Sequence, residues 1–336
     1  MRYGLLVPHF GEHADRDLLV RGARRAEELG FDSLWVRDHL VFHPHGLEGT
    51  DRTFVEPLTT LAYLAGVTDR ITLGTATIIP YRHPIAMAAG VASLVWLSRR
   101  RFELGIGAGN FQHEFDVIGM GDVDRPALMR EQVEIARRLW AGGSVEHSSD
   151  IYSFSDVDLK PQPTEGVRVW WGGATPASVR LAVDFCEGWL PGRITFLTFE
   201  KRIAQLRERV QEQGKPMIQT GAIPITSVAH SREQALGAMN VPGLLKNANN
   251  QRFWVKPPTG EFSHPDDLAG SMLAGTPEDV AEGVQRYAEL GADLVVFDFR
   301  LRFDDWLEQI EITARDVLPA VASESVPQPS LVDWHV

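Results

Sequence analysis

The sequence predicts an α/β protein in which eight parallel strands close into one barrel. Eight short segments rich in apolar or β-branched residues follow one another along the chain, and each is followed by a segment whose apolar residues have helical spacing. Such alternation favours parallel strands joined by helices. The chain has 336 residues, a normal length for one barrel with insertions. We therefore predict a TIM (β/α)8 barrel with loop insertions.

The strand and helix predictions rest on local patterns. Strands are predicted over residues 3–8, 32–37, 71–79, 101–107, 167–173, 188–192, 217–230 and 292–299. Helices are predicted over residues 15–30, 56–69, 83–98, 125–142, 175–188, 197–213, 276–290 and 302–319. Gly30 ends the first helix as a C-cap would, and Pro84 lies in the first turn of the third. Thr276 before Pro277 has the form of an N-cap with proline at the first helical position.

Three stretches interrupt this alternation. Residues 38–55 form a long loop after the second strand, 143–165 are polar and predict a loop or hairpin, and 240–272 are irregular and rich in Asn, Gly and Pro. We therefore predict one barrel domain over residues 1–320, with insertions at about 143–165 and 240–272, followed by a C-terminal tail over 321–336. Long loops in compact domains are usually functional or disordered.

The composition argues against several classes of protein. A net charge of −12 and a pI of about 5.4 disfavour a nucleic-acid groove, because phosphate binding needs a basic face. Cys186 is the only cysteine, so an internal disulfide is excluded and a reducing compartment fits. No run of about 18 apolar residues is present, and the N-terminal apolar run is too short for a signal peptide. We therefore expect no membrane span and a cytoplasmic protein.

Polar side chains follow the predicted strands at the end where barrel sites lie. They are His9 after the first strand, Asp38 and His39 after the second, Ala76 and Thr77 at the end of the third, and Asn110, His113 and Glu114 after the fourth. Seven of the eleven histidines fall between residues 9 and 113. This enrichment favours a site formed by the first four strands.

The pair Asp38-His39 has three interpretations. One residue would hold a cofactor while the imidazole exchanges a proton, as histidine does near neutral pH. His39, His43 and His45 would instead form a metal cluster, although their spacing matches none of the usual zinc signatures. A solvated loop without chemistry is the third interpretation. We favour the first and expect no metal. Glu114 likewise either binds the edge of a substrate or cofactor or caps the helix that follows.

The run 171-WGGATPASVR-180 places a Gly-Gly turn directly before a helix. Backbone N–H groups at a helix N-terminus bind anions, and the hydroxyls of Thr175 and Ser178 would add to them. The run therefore predicts a phosphate cradle. A plain turn with Thr175 as the N-cap is the alternative, because short Gly-Gly turns are common.

Five segments together carry a resemblance to a known family. They are 26-AEELGFDSLWVRDHL-40, 71-ITLGTATIIPYRHP-84, 99-RRRFELGIGAGNFQHEFDVIG-119, 168-RVWWGGATPASVRLA-182 with 187-EGW-189, and 273-LAGTPEDVAEGVQRYAELGADLVVF-297. They span nearly the whole chain in the family's order. On these motifs the chain resembles the bacterial luciferase-like superfamily of flavin-dependent monooxygenases and coenzyme F420-dependent oxidoreductases.

The resemblance implies that FMN or coenzyme F420 binds at the carboxyl ends of the strands. The residues that it assigns to the cofactor are Asp38, Ala76, Thr77, Gly107, Gly109, Asn110, Gly172, Gly173, Ala174, Thr175, Ala177 and Ser178. Within this set, residues 172–178 would hold the phosphate, and Gly107-Ala108-Gly109 would let the backbone approach the ring. Ala76-Thr77 would form a bulge with a non-proline cis peptide bond that supports the ring.

The resemblance also implies catalytic and substrate-binding residues. His39 would act as the acid or base, with His113 and Glu114 beside it. The substrate pocket would be lined by His9, His43, Trp189 and Trp254. Trp189 also has the default interpretation of a tryptophan at a strand, which is core packing. Residues 240–272 would cover the pocket as a lid.

The implied activity is hydride transfer with reduced coenzyme F420 on a small organic substrate. One alternative is a two-component monooxygenase that uses FMNH2 supplied by a separate reductase, and another is a non-catalytic flavin-binding protein. Family habit implies a homodimer. The chain departs from the branch that oxidises sugar phosphates, since Asn110 replaces Glu and His43 replaces Trp. In 94-LVWLSRRR-101, Trp96 and Arg100 replace the family's Asp and Gly.

Overall fold

A computed structural model describes residues 1–44, 46–163 and 166–323, so His45, the end of the first insertion and most of the predicted tail lie outside the described residues. The strands are β1 (Arg2–Leu6), β2 (Ser33–Val36), β3 (Thr72–Thr75), β4 (Phe102–Ile106), β5 (Val145–Ser148), β6 (Ser153–Val157), β7 (Arg168–Trp171), β8 (Gly188–Trp189), β9 (Gln219–Ala222), β10 (Ile225–Val228), β11 (Met272–Gly275) and β12 (Leu294–Phe297). Eight of them pair in parallel and close into a barrel in the order β1-β2-β3-β4-β7-β8-β9-β12. The predicted TIM barrel is confirmed.

The helices are α1 (Arg16–Glu28), α2 (Pro57–Ala65), α3 (Pro84–Leu97), α4 (Gln112–Asp116), α5 (Arg125–Ala141), α6 (Pro176–Phe185), α7 (Phe196–Gln213), α8 (Arg232–Gly237), α9 (Val241–Asn250), α10 (Pro277–Leu290), α11 (Trp306–Ile312) and α12 (Leu318–Ser323). Thr175, Thr195 and Thr276 cap α6, α7 and α10, each accepting a hydrogen bond from the N–H three residues further on. In the described part of the chain, no helix combines the length and apolar character needed to cross a membrane.

The seventh predicted strand is wrong in extent. Residues 217–230 divide into β9, which belongs to the barrel, and β10, which leaves it and pairs in parallel with β11. Pro224 lies at the break, where it has no N–H to donate to a strand ladder. Its carbonyl instead accepts a hydrogen bond of 3.1 Å from the N–H of Asp298. The sequence analysis missed β11, because it lies at the boundary between the segment expected to be irregular and the capped α10.

The two predicted insertions contain regular structure. Residues 143–163 include the antiparallel hairpin of β5 and β6. Residues 240–272, which the sequence predicts to be irregular, instead contain α9. Asn240 caps that helix by accepting a hydrogen bond from the N–H of Gly243, and Pro242 lies in its first turn. The Asn, Gly and Pro residues that suggested a loop therefore mark a helix start.

Two indole rings fill the interior of the barrel. Trp35 on β2 and Trp170 on β7 are fully buried and meet edge to face, with ring centroids 6.3 Å apart. Glycines on neighbouring strands leave room for them. A Cβ on Gly74 would lie 2.4 Å from the Trp35 ring, and a Cβ on Gly188 would lie 2.3 Å from the Trp170 ring. Large and small residues thus complement each other across the barrel.

The amino-terminal end of the barrel is closed by an ion cluster around Glu103. Its buried carboxylate accepts hydrogen bonds of 2.8 Å each from Arg2, Arg168 and the indole N–H of Trp170. The cations neutralise the carboxylate, and the indole uses its remaining acceptor capacity. The candidate site lies at the opposite end, where the carboxyl ends of the strands and their loops form the mouth of the barrel.

Candidate active site

The mouth of the barrel brings together two residues that are 75 positions apart in the sequence. His39 lies just beyond β2, and Glu114 lies on α4, the short helix that follows β4. The Nδ1 atom of His39 lies 3.2 and 3.3 Å from the two carboxylate oxygens of Glu114. Both side chains are almost completely buried. The structure therefore places an imidazole against a carboxylate at the predicted site.

Three further groups donate hydrogen bonds to the Glu114 carboxylate. They are the backbone N–H groups of Leu40 and Val41, at 2.7 and 3.0 Å, and the hydroxyl of Tyr81, at 2.5 Å. Burial by itself would raise the pKa of Glu114, but the hydrogen bonds from His39, Tyr81 and Val41 outweigh it and lower the pKa to about 2. Glu114 is therefore ionised at every pH at which the protein would work.

The ionised carboxylate defines the state of the His39 ring. It can only accept, so Nδ1 of His39 donates, and a neutral imidazole then presents Nε2 as an acceptor. Nε2 lies 3.3 Å from a guanidinium nitrogen of Arg37. The rings of Phe42, Phe54 and Phe111 surround the imidazole, with centroids 5.2 to 5.3 Å away. This orientation leaves Nε2 as the acceptor atom of the ring.

A cavity of about 280 Å³ opens beside this pair. It is lined by His39, Val41, His43, Phe111, His113 and Glu114. The rings of His43 and His113 meet edge to face at the same cavity, 5.2 Å apart. Four residues singled out in the sequence for catalysis or substrate binding thus meet at one place.

Asp38 holds the segment that follows β3. Its buried carboxylate accepts two hydrogen bonds from Arg82, of 2.6 and 2.9 Å, and one of 2.9 Å from the N–H of Ile79. The peptide bond between Ala76 and Thr77 is cis, as the resemblance implies. Asp38 was predicted to contact a cofactor, and that role remains a prediction. In the structure its oxygens position residues 76–82 at the mouth.

Glycines around Thr77 make room for this segment. A Cβ on Gly107 would lie 2.4 Å from the Thr77 hydroxyl oxygen, and a Cβ on Gly172 would lie 2.9 Å from its methyl group. On Gly105, a Cβ would lie 1.9 Å from the carbonyl oxygen of Thr75. Gly109 has a φ of +76°, which favours glycine. These glycines therefore admit neighbouring parts of the protein, and their approach to a cofactor ring remains a prediction.

The turn before α6 has the geometry of an anion-binding helix N-terminus. Thr175 is the N-cap, and its hydroxyl lies 3.0 Å from both the N–H and the hydroxyl of Ser178. Among the described residues, the backbone N–H groups of Gly173 and Ala174 have no acceptor. Free N–H groups and two hydroxyls at a helix N-terminus are the donor set that a phosphate needs. The cap and the predicted phosphate cradle are therefore compatible.

Buried side chains hold this turn from behind. The indole N–H of Trp189 donates to the carbonyl of Gly173 at 3.0 Å, and Arg202 donates to the carbonyl of Ala174 at 2.7 Å. Trp189 is fully buried and stacks on Phe199. It was predicted to line the substrate pocket, but in the structure it supports the turn and lies outside the lining of the cavity described above.

Other residues predicted for the site are not brought to this cavity. His9 is fully buried, its Nδ1 lies 3.0 Å from the Val55 carbonyl, and its Nε2 accepts from the N–H of Arg37. Burial lowers the pKa of His9 to about 3, so this ring stays neutral. Asn110 is exposed, and Trp254 packs edge to face on Phe262. No group of three or more potential metal ligands occurs within residues 1–44, 46–163 and 166–323.

A network of charges crosses the mouth and was missed in the sequence. Glu48 accepts hydrogen bonds from Arg37 at 3.1 Å and from Arg300 at 3.0 Å, and Arg300 also donates to Asp298. Arg37 joins this network to His39. The signal was present, because Arg37, Tyr81 and Asp298 all lie within a few residues of a predicted strand end.

A larger cavity of about 410 Å³ lies elsewhere, between α10 and residues 265–274. Its charged residues pair with each other, as Arg232 does with Asp266 and Arg286 with Glu289. None of the site residues predicted from the sequence lines it. We therefore place the candidate active site at the smaller cavity beside His39.

Known proteins share sequence and fold with this chain. The family model of luciferase-like monooxygenases matches residues 1–294. The F420-dependent glucose-6-phosphate dehydrogenase of Nakamurella multipartita is 26% identical over 310 residues, which cover 88% of this chain and 89% of that protein. The oxygenase component of the flavin-dependent trigonelline monooxygenase of Acinetobacter baylyi is 25% identical over 360 residues, 97% of each chain. A solved F420-dependent secondary alcohol dehydrogenase, in complex with an F420–acetone adduct, aligns with a TM-score of 0.78 at 22% identity, covering 95% of this chain and 98% of that one.

The depressed pKa of Glu114 predicts a pH-dependent stability. Relative to an ordinary value of 4.5, a folded-state pKa of about 2 stabilises the fold above pH 4.5 by about 3 kcal/mol, and this stabilisation is lost as the pH falls towards 2. We expect Glu114→Gln to lower the free energy of unfolding at pH 7 by about that amount, and the difference from wild type to shrink by more than half at pH 3. Urea unfolding at both pH values measures it. Glu134→Gln, on an exposed helix face, is the control. Equal losses at pH 7 and pH 3 would contradict the assignment.

Proposed function

The chain belongs to the luciferase-like monooxygenase family, and on that premise we propose that it transfers a hydride between coenzyme F420 and a small organic substrate. The observation that carries the proposal is the pairing of His39 with the buried, ionised Glu114 beside a cavity at the barrel mouth. Redox reactions of alcohols and carbonyls move a proton together with a hydride. A protein that catalyses them therefore needs an oriented acid or base, and this pair provides one.

The residues of the mouth fit a cofactor that carries a phosphate. The free N–H groups and hydroxyls of the turn before α6 would hold the phosphate, and Ala76, Thr77 and Gly107 would form the wall against the ring. When bound, the deazaflavin supplies a carbon that exchanges a hydride with the substrate. The side chains of this protein would bind and orient the substrate and would transfer a proton.

His39 would move that proton at Nε2. Glu114 fixes the ring by accepting from Nδ1, and it stabilises the positive charge that appears when Nε2 takes up a proton. Leu40, Val41 and Tyr81 keep the carboxylate ionised, so it stays an acceptor throughout. The surrounding phenylalanines exclude water and strengthen the ion pair. His43 and His113, which also line the cavity, would contact the substrate.

A second candidate function is a two-component monooxygenase that takes FMNH2 from a separate reductase. It is favoured by the trigonelline monooxygenase component, whose match covers 97% of both chains. The same cavity and phosphate turn would serve either cofactor. A non-catalytic flavin-binding protein would not need a buried carboxylate aligned with an imidazole, so we do not favour it.

The substrate is proposed only as a small organic molecule. Several relatives are named glucose-6-phosphate dehydrogenases, but this chain differs from that branch at two positions of the site. Asn110 is exposed, and the carboxylate that meets His39 comes from Glu114, four residues later. His43 lines the cavity where the branch has a tryptophan. A different pocket chemistry argues for a different substrate.

Titration with the two cofactors tests the proposal. We expect oxidised coenzyme F420 to bind the purified protein more tightly than FMN, as followed by quenching of cofactor fluorescence. Ser178→Asp puts a negative charge into the turn before α6, and we expect it to weaken both cofactors by about tenfold to a hundredfold, because it repels the phosphate. Riboflavin, which lacks the phosphate, is the matched ligand control and should be unaffected.

Each result of this titration has a definite meaning. Tighter binding of FMN would favour the monooxygenase, and turnover would then be sought with FMNH2 and oxygen. Equal weakening of riboflavin and FMN by Ser178→Asp would remove the phosphate assignment of residues 172–178. If neither cofactor binds, the proposed function is wrong.

Replacement of His39 tests the acid–base role. We expect His39→Gln to lower the turnover number by a factor of about 10² to 10⁴ while leaving the cofactor dissociation constant unchanged, because the amide cannot exchange a proton. Anaerobic assays with a panel of alcohols and carbonyl compounds measure turnover. His264→Gln, on an exposed turn far along the chain, is the control. Unchanged turnover in His39→Gln would rule out His39 as the acid or base.

We infer in addition that the chain forms a homodimer through α2 and α3. The helix α3 is apolar on all sides, yet Trp96 and Leu97 are 68% and 51% exposed, and Tyr63 on α2 is 43% exposed. An apolar helix is stable when all its faces are buried.

Light scattering tests this inference. We expect wild type to have the mass of a dimer and Trp96→Glu that of a monomer, because a charge at the interface would be buried without a partner. Phe253→Glu, which changes another exposed aromatic residue elsewhere, should remain dimeric. A wild-type monomer would refute the inference.

A further inference from the structure

Arg193 is a cation at the carboxyl end of the barrel whose side chain has no hydrogen-bond partner among the described residues. It lies four residues beyond β8, between that strand and α7, where barrel sites are built. Its Nη1 atom is shielded from solvent and has no hydrogen-bond partner. The residue as a whole is only partly buried, and it lies outside the lining of the cavity beside His39. A shielded donor without an acceptor destabilises the fold unless a bound ligand provides that acceptor.

The neighbours of Arg193 do not neutralise it. It lies close enough to Glu48, Asp298 and Arg300 for their charges to act on it. Glu48, however, already accepts hydrogen bonds from Arg37 and Arg300, and Asp298 accepts from Arg300. Among the described residues, this group holds three arginines and two carboxylates, so one positive charge is in excess within it. Burial lowers the pKa of Arg193 to about 10, which leaves it charged at neutral pH.

Two other arginines show what a structural role looks like. Arg202 donates to the carbonyls of Ala174 and Phe253 and to the side chain of Gln205. Arg82 is bonded to Asp38 and Glu56. These guanidiniums fix the chain around them by hydrogen bonds. Arg193 makes no such hydrogen bond among the described residues, so this structural role does not explain its position.

We propose that Arg193 binds a carboxylate of the substrate, which makes the substrate a small organic acid or an acid-bearing alcohol, ketone or heterocycle. The planar guanidinium matches a carboxylate with two parallel hydrogen bonds. One excess positive charge is balanced by one carboxylate, whereas a phosphate monoester would bring close to two negative charges. Arg37 contacts both His39 and Glu48 and so connects the imidazole to the group of charges near Arg193. A carboxylate on Arg193 would then anchor the substrate while His39 acts on its reacting end.

This proposal names the substrate class of the proposed function and rests on it, so its test uses the protein without cofactor and without turnover. The probes are benzoate, benzamide as its neutral counterpart and inorganic phosphate, titrated into wild type, Arg193→Gln, Arg193→Lys and Arg130→Gln. Calorimetry measures affinity, and thermal melting measures stability. Arg130→Gln removes the same charge from an exposed helix and is the matched control.

We expect benzoate to bind wild type and Arg130→Gln alike, and to bind Arg193→Gln at least tenfold more weakly. Arg193→Lys should have an intermediate affinity for benzoate, because lysine keeps the positive charge but cannot form the two parallel hydrogen bonds of a guanidinium. Benzamide should bind all four proteins weakly. Arg193→Gln without ligand should melt at the same temperature as wild type or higher, because it removes an unpaired charge. A structural arginine would instead lower the melting temperature when replaced.

Three results would overturn the proposal. They are equal benzoate affinity in wild type and Arg193→Gln, a clear loss of thermal stability in Arg193→Gln, and binding of phosphate in preference to benzoate. A fourth readout tests whether Arg193 binds the cofactor instead of the substrate. If Arg193→Gln weakens FMN or coenzyme F420 as much as it weakens benzoate, Arg193 serves the cofactor and the substrate assignment is wrong. Benzoate binding with no cofactor binding would leave the site standing and remove only the proposed function.

Discussion

The carboxylate of Glu114 is the interaction on which the candidate site depends. One buried side chain accepts from the backbone of the loop after β2, from Tyr81 after β3 and from His39, and it is itself supplied by the segment after β4. Three loops that are distant in sequence are thereby fixed to one negative charge. Because every donor to that charge would be left unpaired without it, the geometry of the loops and the ionisation of the carboxylate support each other.

The fold could be predicted because its signals are local. Strand runs, helical spacing and caps such as Thr276 each report on a few neighbouring residues, and a barrel repeats the same unit. The prediction failed where tertiary contacts override local pattern. The break at Pro224 lets β10 leave the barrel for β11, and Asn240 starts a helix in a stretch whose composition indicates a loop.

The site could be predicted only in part. Strand ends and the family resemblance identify His39 and Glu114, but the contact between them depends on how two loops fold over each other. His9 and Trp189 are of residue types that often line pockets, yet their ring nitrogens form hydrogen bonds with backbone carbonyls behind the pocket. Arg193 could not be singled out from the sequence. Its distinguishing feature is the absence of a partner among the described residues, and only the three-dimensional arrangement reveals it.

The glycines around Thr77 have a consequence for how this protein recognises its ligands. Thr77 occupies the space that a Cβ on Gly107 or Gly172 would need, so the chain beyond β3 packs closely against the chain beyond β4 and β7. Closely packed parts of a protein resist displacement, so we expect this wall to move little when a ligand binds. Any adjustment to the shape of a ligand would then have to come from the other loops of the mouth, such as the loop after β2 that carries His39 and His43. One wall of the mouth would then stay fixed for every ligand, and the loops on the other side would adapt to the differences between substrates.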